Sequence, residues 1–283
     1  MTRHRLIPTI LCTAALLVGL TACSPDAGNH AATSTGSQAG PSLPQRLARS
    51  QIAALPEATY NSVIPELLPA ATTATVTTTH RVPFDTALYG NDLTTPIARL
   101  DAKNFLGDRT VVVRIATKGQ WSLVLTPARQ QLPSKASAKK PAPAQSAAWI
   151  PTRDLLPGKT LTRKVVISTS KQTLDIVDGK GKSLKSFPAG VGTDATPTPA
   201  ATGYLQARYL DPAQGQTRHR IQLTSLHATA ADEPYGGSDG GLIGIHFQSS
   251  ARGAVSHGCI RLSAEAIAAV DALPLGTAVQ ITG

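Results

Sequence analysis

The sequence predicts a mainly-β chain: a β-sandwich with one capping helix over the C-terminal part, and a smaller β domain ahead of it. Three observations point there. Short runs rich in Val, Ile, Leu and Thr recur along the chain, and 23 Gly and 21 Pro supply the breaks between them. Only the segment after Ser263 combines helical spacing with clear start and stop signals. No period of about 20–50 residues repeats, which excludes a solenoid. With 283 residues, 41% hydrophobic and 16% charged, the chain is neither a polytopic membrane protein nor wholly disordered. Its net charge of +10 suits an anionic surface such as a cell wall, an acidic lipid leaflet or nucleic acid.

The chain opens with an export signal. Arg3 and Arg5 precede an apolar run at 6–20 that Pro8 interrupts and that is short for a bilayer span. Leu20-Thr21-Ala22-Cys23 resembles the bacterial lipobox, so 1–22 is predicted to be a lipoprotein signal peptide and Cys23 its lipidation site. Residues 23–45 are small and polar and read as a flexible tether. Residues 46–75 hold scattered apolar positions cut by three prolines and are expected to be irregular, with a short helix near 46–54.

Strands dominate from 76. The expected elements are 74–79, 96–100, 110–115 and, after a turn at Lys118-Gly119-Gln120, 121–125, then a strand through Trp149-Ile150-Pro151. Lys135, Lys139, Lys140, Pro141 and Pro143 mark a solvated basic loop between the last two. Strand, Trp strand, basic loop and Trp-Ile strand together resemble a small SH3-like barrel over 76–158, with Trp121 and Trp149 in its core.

Over 160–283, strands are expected at 163–168, 172–177, 183–191, 204–210, 219–225, 242–247 and 277–281. Asp178-Gly179 marks a hairpin. Ser263 caps a helix with Ile267, Val270 and Leu273 on one face, and Pro274 and Gly276 stop it. The Gly-rich stretch 236–241 lacks a following Gly-Lys-Ser/Thr and is not a phosphate loop.

The chemistry-bearing residues cluster at 246–261. Of three cysteines, Cys12 lies in the signal region and Cys23 at the lipobox, so Cys259 is the lone thiol of the mature chain. Such a thiol in an exported protein is either buried and inert or a nucleophile. Its neighbours favour the nucleophile. A nearby imidazole can take its proton, and His246 and His257 lie within reach of a fold. Along 242–247, Ile243, Ile245 and Phe247 share one face, so His246 points to the other with Leu242 and Gly244. Gly258 permits a tight turn, and the Gly258 and Cys259 N–H groups are expected to donate to an oxyanion. A zinc site from His246, His257 and Cys259 is disfavoured, lacking a second close Cys and an acidic ligand. His227 is expected at the surface or in the core rather than in a cleft.

Ser256-His257-Gly258-Cys259-Ile260-Arg261, after an upstream Ile245-His246, resembles the signature of L,D-transpeptidase catalytic domains, the YkuD-like family. Gly190-Val191-Gly192 with Thr196-Pro197-Thr198-Pro199 resembles another stretch of that family, and 76–158 resembles what precedes the domain in many actinobacterial members. The resemblance implies Cys259 as nucleophile and His246 as its base. It implies that Ser256, His257 and Gly258 shape the turn, and that Arg261 steadies the loop or meets a substrate carboxylate. It also implies peptidoglycan stem peptides as partners (a donor tetrapeptide and an acceptor amine), a 3→3 cross-link made through a thioester, acylation by carbapenems, and no metal or organic cofactor. Two features depart from the family pattern: Phe247 stands where Gly or Ser is frequent, and the His246–Cys259 interval is short.

Rival functions are an L,D-carboxypeptidase, in which water resolves the same acyl-enzyme, and a non-catalytic wall-binding lipoprotein. A papain-like amidase is disfavoured because there the Cys precedes its His. Export and the scarcity of aromatics among the charges disfavour nucleic acid. The expected location is the outer face of a bacterial cytoplasmic membrane, held by the lipid on Cys23 and facing the wall.

Overall fold

The structure, a computed structural model, describes residues 42–76, 78–237 and 239–283. The expected signal peptide at 1–22, the expected lipidation site Cys23 and most of the expected tether lie outside the described residues. Irregular chain and one short helix, α1 (Arg49–Ala53), lead into two sheets.

The first sheet holds β1 (Leu68–Pro69), β2 (Thr78–Arg81), β3 (Thr86–Tyr89), β4 (Pro96–Leu100), β5 (Val111–Lys118), β6 (Trp121–Thr126), β7 (Ser146–Pro151) and β8 (Leu156–Thr160). Its order is β4-β3-β7-β6-β5-β2-β8, with β1 paired to β7. Antiparallel pairing from β5 through β6 to β7 follows from the predicted turn, where Gly119 has φ 57°. Leu88, Leu100, Val112, Val124 and Ile150 fill the core. Trp121 is fully buried and meets Tyr89 edge-on, ring centroids 5.1 Å apart.

This eight-stranded order lends no support to the SH3-like label. The unit also recruits chain ahead of 76. Ile64 and Leu67 enter its core, and Leu43, Leu47 and Leu55 pack around Trp121. The segment's prolines erase any periodicity, so backbone bonds place it instead: Ala58 N–H donates to Arg99 O (2.8 Å) and Ile64 N–H to Arg129 O (2.9 Å).

The second sheet holds β9 (Arg163–Ser168), β10 (Thr173–Asp178), β11 (Ser183–Pro188), β12 (Gly190–Gly192), β13 (Thr202–Asp211), β14 (Gln216–His227), β15 (Leu242–Phe247), β16 (Gly253–Ser256), β17 (Ile260–Leu262) and β18 (Ala278–Thr282). Its order is β11-β10-β9-β18-β13-β14-β15-β17-β12-β16. One apolar cluster joins Val165, Ile167, Leu174 and Ile281 from one end of this path to Ile243, Ile245, Ile260 and Leu262 from the other. The path therefore closes over its own core as a sandwich. The helix α2 (Ala264–Asp271) caps it, burying Ile267 and Val270. Ser263 Oγ accepts from Ala266 N–H at 3.3 Å, the expected N-cap.

The described residues form one compact unit. Tyr204 of β13 is buried among Val113, Leu125 and Ala147 of the first sheet. Gly276, at φ 86°, passes so close to Thr79 that a side chain there would overlap it.

Candidate active site

Alternation along β15 sets the site. Ile243 and Ile245 are buried in the sandwich core, while Leu242, Gly244 and His246 face a cleft of about 520 Å³. β17 runs parallel beside β15 and places Arg261 opposite His246. Cys259 is the residue just before β17, in the turn that arrives from β16. His246, Ser256, His257, Cys259 and Arg261 all line this one cleft.

The turn holding Cys259 is locked by side chains. Ser256 Oγ donates to Cys259 O (2.6 Å) and accepts from Gly258 N–H (3.2 Å). Gly258 has φ 118°, a region closed to residues with a Cβ. Thr198 Oγ1 donates to Gly258 O (2.7 Å) and accepts from Gly192 N–H (2.8 Å), clamping the turn from the Thr-Pro loop. This corrects one expectation. The Gly258 N–H is taken by Ser256 and is not free to meet an oxyanion, because the serine hydroxyl closes the turn on its inner side.

Cys259 Sγ accepts from Gly244 N–H at 3.4 Å and lies 3.7 Å from Leu242 O, a carbonyl able to accept the thiol proton. Burial pushes the thiol pKa up; the Gly244 N–H and the Arg261 charge pull it back. Burial lowers the His246 pKa, and Arg261 lowers it further. Both shifts favour neutral forms, so the resting pair is thiol and imidazole rather than thiolate and imidazolium. His246 Nδ1 lies 3.0 Å from Phe247 O. A carbonyl only accepts, so Nδ1 carries the hydrogen and Nε2 holds the free lone pair.

His257 is exposed and faces the edge of Tyr235, centroids 6.2 Å apart. The Arg261 Nε is buried without a partner, which leaves a donor unspent beside the cleft. His227 is in the core, as expected: it is fully buried and its Nε2 donates to Tyr60 O at 2.9 Å. Among the described residues no three of His, Cys, Asp and Glu converge to hold a metal ion.

The sequence reading passed over several cleft residues. Tyr209, Tyr235 and Asp239 line it, as do Tyr60 and Phe105 from before the second sheet. All but Tyr209 lie on loops, where no periodicity marks a side chain as facing a site. The Gly-rich stretch proves to be one lip of the cleft, contributing Gly237, Asp239 and Gly241.

Residues 162–281 match the family model YkuD, the L,D-transpeptidase catalytic domain. No curated protein matches the chain. Among solved structures, the chain is similar to Mycobacterium tuberculosis L,D-transpeptidase 1, with 21% identity, 49% of this chain and 78% of that chain covered, and a TM-score of 0.32. It is also similar to an L,D-transpeptidase from Mycobacterium smegmatis (16% identity, 62% and 91% covered, TM-score 0.33). A third is an L,D-transpeptidase from Stackebrandtia nassauensis (17% identity, 44% and 56% covered, TM-score 0.32). Likenesses this low carry no argument by themselves. The family match, over residues 162–281, falls on the sheet that bears Cys259 and His246.

Proposed function

We propose that the protein is a peptidoglycan L,D-transpeptidase acting through a Cys259 thioester. The observation that carries this reading is that Cys259, the one cysteine among the described residues, and His246, with its Nε2 lone pair free, line the same cleft. His246 Nε2 takes the Cys259 proton as Sγ attacks the carbonyl of the third stem residue. The amide bond to the terminal D-Ala breaks, and His246 returns the proton to the departing amine. The side-chain amine of a second stem then attacks the thioester. The S–C bond breaks, an amide forms, and the thiol regains its proton.

With the Gly258 N–H engaged, the Cys259 N–H is the donor of that pair left for the developing oxyanion. Arg261, with its unspent Nε, is suited to a stem carboxylate. Ser256 and Thr198 act through the turn, and His257 lines the cleft. Export and lipidation at Cys23 would hold the enzyme on the outer face of the membrane, within reach of the wall.

Product mass tests the reaction. The full chain in detergent is incubated with a stem tetrapeptide bearing a diamino acid at its third position. A dimer lighter than two tetrapeptides by one alanine residue plus water supports cross-linking. Tripeptide alone assigns carboxypeptidase activity instead, and unchanged tetrapeptide removes both.

A further inference from the structure

We propose that the first β unit completes the substrate cleft, and that Tyr60 and Phe105, which it supplies, determine how tightly the acyl donor is held. This rests on the acyl-transfer reading above. Both residues lie outside the family-matched segment 162–281, yet both line the same cleft as Cys259 and His246. Their rings meet at 4.6 Å between centroids with a 54° tilt.

The placement is built in. Phe105 is 39% exposed, a large apolar ring that serves no core. It sits on a closed turn between β4 and β5: Asn104 Oδ1 accepts from Leu106 N–H and Asp108 N–H, each at 3.0 Å, and Gly107 takes φ 80°. Tyr60 is fixed through its carbonyl, which accepts from the buried His227. Gly240 crosses so near that a Cβ there would stand 2.7 Å from that carbonyl.

Tyr60 also packs with Tyr209 against a patch containing Ile221, Leu223 and Leu242. That patch continues to the nucleophile, because a Cβ at Gly244 would touch Ile221, Leu223 and Cys259 Sγ alike. A second tie binds the segment leading into the Gly-rich lip to the first unit. Arg129, 2% exposed, donates to Asp232 O at 2.7 Å, and Ser134 N–H donates to Asp232 Oδ1 at 2.8 Å. The cleft therefore has one wall from the second sheet, bearing Cys259 and His246, and an aromatic wall from loops of the first unit. Two rings above an aliphatic floor suit an uncharged, flat-faced portion of the donor, either its sugar ring or its aliphatic stem.

The test uses the full chain carrying Tyr60→Ala, Phe105→Ala or Tyr60→Phe, with Leu106→Ala as the control on the same turn. Turnover is followed with a free stem tetrapeptide and with the same peptide on its disaccharide. Binding of each probe is measured by calorimetry in a Cys259→Ala background, and thiol access by the rate of alkylation with iodoacetamide. The expected result is a rise of about tenfold in KM and Kd for each alanine variant, with kcat and alkylation little changed and Tyr60→Phe and Leu106→Ala near wild type. An effect confined to the disaccharide probe identifies the sugar ring as what the wall holds; an equal effect on both identifies the stem. Unchanged KM and Kd in both alanine variants overturn the proposal. Weakened binding in a chain that turns over neither probe leaves the aromatic wall standing and removes the acyl-transfer reading. Absence of both binding and turnover in the unaltered cleft removes both.

Discussion

Thr198 Oγ1 donates to the carbonyl of Gly258 across 60 positions of sequence, and through that one bond the Thr-Pro loop holds the turn that presents Cys259. The same hydroxyl accepts from Gly192 N–H. Thr198→Val keeps the shape and removes both bonds, leaving buried groups unpaired. The expected cost is about 1–3 kcal/mol of stability, read by urea denaturation. Cys259 alkylation should also slow while the variant is still folded.

The Phe247 carbonyl fixes the His246 tautomer, leaving the Nε2 lone pair free for the proposed role as base. His246→Gln keeps a polar side chain and loses the base, so thioester formation should fall by about 10²–10⁴-fold. Single-turnover acylation followed by intact mass measures it.

The neutral resting pair has a pH signature. The His246 pKa is lowered from 6.5, so the base is already free at neutral pH and is lost only as the pH falls through its depressed value. The acid limb of kcat/KM should lie below pH 6.5. Arg261→Gln removes one depressing charge and should move that limb toward higher pH, burial remaining the larger cause. A limb well above that pH would contradict the assignment of His246 as base.

His227 makes the stability of the fold depend on pH. Its pKa falls to about 3, chiefly through burial, against 6.5 for a free imidazole. Between those two values the unfolded chain binds a proton that the folded chain refuses, so stability rises with pH across that window and is lost as pH falls. The slope from this group is about 1.4 kcal/mol per pH unit. His227→Gln can still donate to Tyr60 O but does not titrate. Its unfolding free energy, measured by denaturant at several pH values, should lose that part of the slope.

Much of the second sheet was legible because its patterns are local. Ile243 and Ile245 alternate with His246, which settles the face of the histidine, and Ser263 with Ile267 and Val270 marks the helix and its buried side. The edge strand β8 was not legible, since Leu156-Pro157-Gly158 has neither alternation nor β propensity and pairs only because β2 lies beside it. The fate of the Gly258 N–H was hidden for another reason: a side-chain hydroxyl competes for a backbone donor, and no spacing records that. Tyr60 and Phe105 reach the cleft through long-range packing of the first unit, which leaves no periodic trace in the sequence.

The most direct test of the central claim is the intact mass of the full chain after incubation with a carbapenem, beside a Cys259→Ala control. The expected result is a one-to-one adduct on the native chain and none on the variant. No adduct on a folded native chain, with Cys259 also resistant to iodoacetamide, would contradict it and favour the non-catalytic, wall-binding reading.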